Sequence, residues 1–245
     1  MSSTAPEKTA VAARWEAVSA PHGIASLRHT HWLDQTPRAF EGAPGRWSAD
    51  AGEVRGTGLP ERGDVALAPF ETVHEGRLLL RAFFRDGAFA LRVYDPEAPG
   101  RLSLTGIETF PESEGAWRFA GRFVPASDGE QITVRSVDGH ERAVAATGTV
   151  AFEIGGTPVE LSVSGDDTGF EAVIADATAQ DGAYRFRFLP IDLPGADGAV
   201  TVDFARAYLP PCAFSDQYVC PLPPAQNRFA FAIPAGERRA LHAEG

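Results

Sequence analysis

Lysine is nearly missing from this chain: of the 22 Lys and Arg residues, only Lys8 is a lysine. A codon bias toward arginine accounts for that by itself. The sharper reading is that some of these planar guanidinium forks hold a carboxylate or a phosphate. Long apolar runs are missing too. No stretch reaches the roughly 18 residues of a membrane-crossing helix, and "MSSTAPEKTAVAARWEAV" lacks the basic head and apolar stretch of a secretory signal. No membrane association and a cytoplasmic location are therefore expected. Positive charge is in deficit: a formal net charge of −11, with no dense Lys/Arg block, repels a phosphate backbone and sets nucleic acid aside as a partner. The G-x-S-x-G, P-loop, H-E-x-x-H and G-x-G-x-x-G patterns are absent, which removes the simplest support for hydrolase, kinase and dinucleotide-binding readings.

Cysteine is limited to Cys212 and Cys220, eight apart with no histidine in the surrounding segment, unlike a zinc knuckle, so no metal is expected there. As a disulfide the pair would close a loop of about nine residues, worth about 2–3 kcal/mol. A reducing cytoplasm favours two reduced, buried thiols, with a redox-switchable pair as the alternative. Five prolines, Pro210, Pro211, Pro221, Pro223 and Pro224, flank the thiols. They stiffen an irregular segment and donate no backbone hydrogen bond to a ladder. Such a segment suits the wall of a binding site or a lid closing one end of a barrel. Its side-chain support is expected from Asp203, Asp216 and Asn227, and burial is expected to raise both thiol pKa values.

What is present, 44% apolar and 22% charged residues, is typical of a globular protein. Residues 4–19 read as a helix: Thr4 can cap it, Pro6 sits early, and Val11, Trp15 and Val18 share one stripe. Glycine and proline between there and residue 64 suggest a loop-rich wrap. The β core is taken from residue 65, and from residue 77 short β-rich runs follow. Asp86-Gly87, Asp138-Gly139 and Gly155-Gly156 supply the positive φ values of tight hairpins. "AWRFAGRFV" sets Trp117, Phe119 and Phe123 opposite Arg118 and Arg122, and "AYRFRFL" sets Tyr184, Phe186 and Phe188 opposite Arg185 and Arg187. The expected fold is mainly β over 1–245 as one domain: a single antiparallel β-barrel or strongly curved sheet, with an N-terminal helix and the Pro-rich segment closing one end. His29 and His31 share a face if "LRHTHWL" is a strand, where a metal would need a distant third ligand such as His74. Hydrogen-bonded histidines beside Trp32 are the simpler reading.

"VDFARAYLPPCAFSDQYVCPLPPAQNRFAFAIPAGER" is similar to the C-terminal signature of a bacterial family, domain of unknown function 1684: D-F-N-x-A-Y-N-P-P-C-A-F, then C-P-L-P-P-x-x-N-x-L and A-G-E-K. "RDGAFALRVYDPEAP", "GIETFP" and "DATAQDGAYRFRFL" extend the resemblance upstream. It implies recurrent polar residues at Arg85, Arg92, Asp95, Asp176, Thr178, Tyr184, Arg187, Asp203, Tyr208, Cys212, Cys220, Asn227 and Glu237, and no particular reaction. Ala205 and Leu209 stand where the family has asparagines, and Gln226 where it commonly has Glu.

A strand arginine turned inward must be paired or face a ligand. Arg92 with Asp95, or Arg187 with Asp203, is one expectation. An anionic small molecule held by Arg92 and Arg187 is the other, with Tyr208 and Asn227 reading its polar edge and Asp203, Cys212 and Cys220 completing the site. The alternatives are a hydrolase with Asp203 or Glu237 as general base, a flavin-dependent enzyme, or a structural protein. No cofactor is specified by the sequence.

Overall fold

The computed structural model describes residues 4–111 and 115–243, with side chains from residue 11 onward. The helix spans Thr4–Ser19, as its periodicity implies. Its apolar stripe is only partly used: Val18 is buried and Trp15 half-buried, but Val11 is 66% exposed. The Thr4 cap falls outside the described side chains. No described helix is long and apolar enough to cross a membrane.

The loop-rich wrap expected up to residue 64 is in fact strand. Arg38–Phe40, Ala43–Asp50, Glu53–Leu59 and Gly63–Leu67 form an antiparallel meander. The glycines that suggested loops sit at its bends and irregularities, where Gly52 (φ 85°) and Gly63 (φ 72°) adopt conformations other residues resist. A second four-stranded sheet runs in the order Leu27–Trp32, Ala88–Tyr94, Leu78–Arg85, Thr72–Glu75. Trp47 and Val54 of the meander share one core with Leu80, Leu91 and Val93 of this sheet.

The chain forms two compact units. The first is 1–106 with 214–218 and 242–245; the second is 107–213 with 219–241. The second unit is built on a six-stranded antiparallel sheet. Its order is Arg187–Ile191, Gly169–Ile174, Thr157–Asp166, Gly148–Ile154, Arg118–Pro125, Ala199–Asp203. It curls strongly without closing into a barrel. Val150, Leu161, Ile174, Leu189, Val202 and Phe204 line its core, with Trp117, Phe119 and Phe123 packed against them. The chain is thus mainly β, with an N-terminal helix and a strongly curved sheet.

Two of the three turn dipeptides behave as their chemistry requires. Asp86-Gly87 (φ 49° and 86°) joins Arg85 to Ala88, and Gly155-Gly156 (φ 58° and 79°) joins Ile154 to Thr157. At Asp138-Gly139 the loop is wider, closed by Ser136 N–H donating to the His140 carbonyl at 2.8 Å. "RFAFAI", which reads as a strand, is not one. Its backbone makes only a short bridge to residues 175–177, through Phe229 N–H donating to the Ala175 carbonyl (2.8 Å) and Ala177 N–H donating to the Phe231 carbonyl (3.1 Å), and side chains hold its end: Arg187 donates to the carbonyls of Ile233 and Ala235, and Asp176 accepts from Ile233 N–H. The glycine of the A-G-E sequence, Gly236, has φ 77° and runs so close to its neighbour that a Cβ there would lie 2.3 Å from the Ala207 carbonyl oxygen.

Candidate functional site

Of the residues the sequence singles out, Arg92 lies in the first unit and Arg187, Asp203, Tyr208, Cys212, Cys220 and Asn227 in the second. The two arginines differ in every respect except burial. Arg187, 1% exposed, pairs with Asp176 and not with Asp203. Its Nη1 and Nη2 also donate to carbonyls of 233–237, so both tips of the fork are engaged by its own unit. Asp203 turns to cap the Phe204–Arg206 turn through Ala205 N–H.

Arg92 is 8% exposed and sits on a strand whose residues alternate. Leu91 and Val93 enter the core between the sheets, and Arg92 and Tyr94 occupy the other face. Its expected partner, Asp95, is taken by Arg77 (2.9 Å) and Arg28 (3.2 Å), because the strand ends between the two residues and Asp95 turns away. Those guanidinium bonds hold the Asp95 carboxyl down at about 2. Among the described residues no carboxylate pairs with Arg92, and its Nε is buried without a hydrogen-bond partner. Burial lowers its pKa, and Arg81 adds to the effect against the favourable Tyr94 and Tyr218. Arg81 is directly opposite Arg92 on the neighbouring strand, where like charges repel. The face of Phe83, 3.7 Å from the guanidinium carbon, and that of Tyr218, 5.1 Å away, offset part of the cost.

These groups open on a cleft of about 300 Å³ lined by Thr72, Leu79, Arg81, Arg92, Tyr94 and Tyr218, with Ala17, His22, Gly23 and Ile24 over it. Tyr218 is fixed by its hydroxyl donating to the Ile24 carbonyl at 3.1 Å, and His22 Nε2 donates to the Arg77 carbonyl at 2.8 Å. A larger hollow of about 590 Å³ lies among the loop ends 33–36, 49–52 and 87–89. Asp34 there is already paired with Arg38, and among the described residues none of its lining atoms is a buried unpartnered polar group. The Arg92 cleft is the stronger candidate.

The other expected site residues have local partners. Asn227, 0% exposed, accepts from Ser162 N–H and donates to the Ser162 and Val173 carbonyls. Tyr208 donates to Glu171, whose carboxyl is pushed up by burial against that hydrogen bond. Glu237 accepts from Leu209 N–H at 2.7 Å. His29 and His31 stack with ring centroids 5.1 Å apart, while His74 meets His22. Among the described residues no group of three His, Cys, Asp or Glu side chains is placed to hold a metal.

The acidity of one thiol departs from expectation. Cys220 is buried and Cys212 half-buried, and no disulfide joins them. Burial does not raise Cys212. A hydrogen bond from Cys220 outweighs it and, with Tyr184 and Arg185, brings the thiol down to about 7.

Sequence reasoning missed Arg81, His22 and Tyr218 at the cleft. The first was available, because a two-residue turn that pairs Arg85 with Ala88 necessarily places Arg81 opposite Arg92. Nothing local announces Tyr218 or the Tyr184–Cys212 contact.

None of the curated proteins matches the chain. Among solved structures, the uncharacterized protein from gene locus rrnAC0354 of Haloarcula marismortui is similar at 25% identity, over 55% of this chain and 76% of that one, with a TM-score of 0.44. The family described as "Protein of unknown function (DUF1684)" matches residues 103–238, which take in the Pro-Cys segment, the Arg187–Asp176 pair and Gly236. With more than half its length matched, the chain belongs to the DUF1684 family.

Proposed function

We propose that this is a small-ligand-binding β protein of the cytoplasm whose first unit takes an anionic small molecule in the cleft at Arg92. One observation carries the reading: a guanidinium 8% exposed, facing a second arginine across the strand pair, with no carboxylate on either cation among the described residues. Leaving a buried charge unpaired is costly, and an anion entering the cleft is the compensation the geometry lacks. The fork of Arg92 suits a carboxylate or phosphate group, and the neighbouring Leu79, Ile24 and Tyr94 suit an apolar or aromatic body. The half-buried and buried free thiols fit a reducing compartment.

Calorimetric titration with inorganic phosphate and with benzoate tests this. Saturable binding of either to the wild type, lost in Arg92→Met and weakened in Arg81→Gln, supports the reading. No binding of either, or binding unchanged by both substitutions, overturns it.

A further inference from the structure

The second unit holds a pair of free thiols that take no part in the Arg92 cleft. Cys212 N–H donates to Cys220 Sγ at 3.4 Å, and the Tyr184 hydroxyl donates to the Cys212 carbonyl at 2.9 Å while reaching its Sγ at 3.4 Å. Pro210 and Pro211 precede the first thiol and Pro221 follows the second, so both are carried on backbone with few alternatives. The Val137 N–H bond to the Cys220 carbonyl (3.0 Å) pins the far side.

The two sulfurs are not equivalent. Cys212 is half-buried and Cys220 buried. Hydrogen bonds converge on Cys212, and the exposed Arg185 adds positive charge near it. Tyr184, pushed up by burial and by its bond to Cys212, keeps its proton and stays a donor. A half-buried thiol held by hydrogen bonds beside a buried one matches the arrangement of an attacking and a resolving cysteine.

We propose that Cys212 and Cys220 form a peroxide-oxidisable pair in which Cys212 attacks and Cys220 resolves. The Cys212 thiolate attacks one oxygen of hydrogen peroxide. The O–O bond breaks, and the departing hydroxide takes a proton to leave as water, with Cys212 as sulfenic acid. Cys220, losing its proton, then attacks the Cys212 sulfur; the S–O bond breaks, a second water leaves with that proton, and the disulfide forms. Two thiols are oxidised by two electrons and one peroxide is reduced to two waters. Thiol reductants reverse the product.

The test uses the whole protein, hydrogen peroxide at equimolar amount, and peptide mapping by mass spectrometry. Wild type is expected to lose two hydrogens in mass, to give a Cys212–Cys220 linked peptide, and to recover both thiols with dithiothreitol. Without peroxide, iodoacetamide at neutral pH is expected to label Cys212 at least about tenfold faster than Cys220, because Cys220 is buried and Cys212 is half-buried. Cys220→Ser should stop at a dimedone-reactive Cys212, and Tyr184→Phe should slow labelling of Cys212. Folded wild type in which neither thiol reacts until denaturant is added, or in which Cys220 is labelled first, overturns the proposal. Both readings need only the wild type, so a misfolded variant leaves the test decisive.

Discussion

Arg187 and Arg92 are both buried strand arginines, yet they stand at opposite ends of what a buried charge can do. Arg187 meets a carboxylate and the carbonyls of 233–237, and in doing so replaces the ladder that a proline-interrupted segment does not form. Arg92 meets aromatic faces, a second arginine and a cleft. Burial alone therefore does not separate a structural arginine from a binding one. The kind of partner does: a cation met by a carboxylate and carbonyls holds its own chain, and one with no carboxylate and a buried unpartnered Nε is available to something else.

Substitution sharpens the contrast, and the largest effect belongs to Arg187. Arg187→Met strands Asp176 and two or three carbonyls, and is expected to lower the unfolding free energy by about 3–5 kcal/mol in a urea melt. Asn227→Leu removes the amide that satisfies Ser162 and Val173 backbone groups inside the same unit, with an expected loss of about 2–3 kcal/mol. In the first unit, Asp95 has its carboxyl pKa depressed from 3.8 to about 2. Its contribution is thus complete above about pH 4 and is lost as pH falls toward 2. Because Arg77 and Arg28 are partly solvent-exposed, about 1–2 kcal/mol is expected from this source. Acid titration of Asp95→Asn against wild type measures it, and the two should converge near pH 2.

Much of this was legible in the residues. The β-rich pattern, the helix at 4–19 and the turns at Asp86-Gly87 and Gly155-Gly156 follow from periodicity and positive-φ chemistry, which are local. The meander of 38–67 was hidden because its glycines mark bends spaced by strand lengths, and composition alone reads a run of bends as a loop. Arg92 and Arg187 could be singled out as inward strand arginines, but their partners could not be assigned from proximity in sequence. Asp95, three residues from Arg92, turns off the strand to Arg77, and Asp176 lies across a turn from Arg187. The acidity of Cys212 escapes the sequence for the same reason: its burial is foreseeable, whereas Tyr184 and Arg185 reach it from 28 and 27 residues away, and they with Cys220 set its pKa.

The anion reading rests most on the unpartnered Nε of Arg92 and the missing carboxylate beside it, and one measurement reaches them directly: the unfolding midpoint of wild type and of Arg92→Met as inorganic phosphate or benzoate is raised at constant ionic strength. The account predicts that Arg92→Met without added anion lies within about 1 kcal/mol of wild type, since a buried charge with no carboxylate is exchanged for an apolar chain. It further predicts that wild type gains stability with anion, approaching about 1.4 kcal/mol per tenfold above saturation, while the variant stays flat. A wild type that gains nothing, or a variant that gains as much, would contradict it.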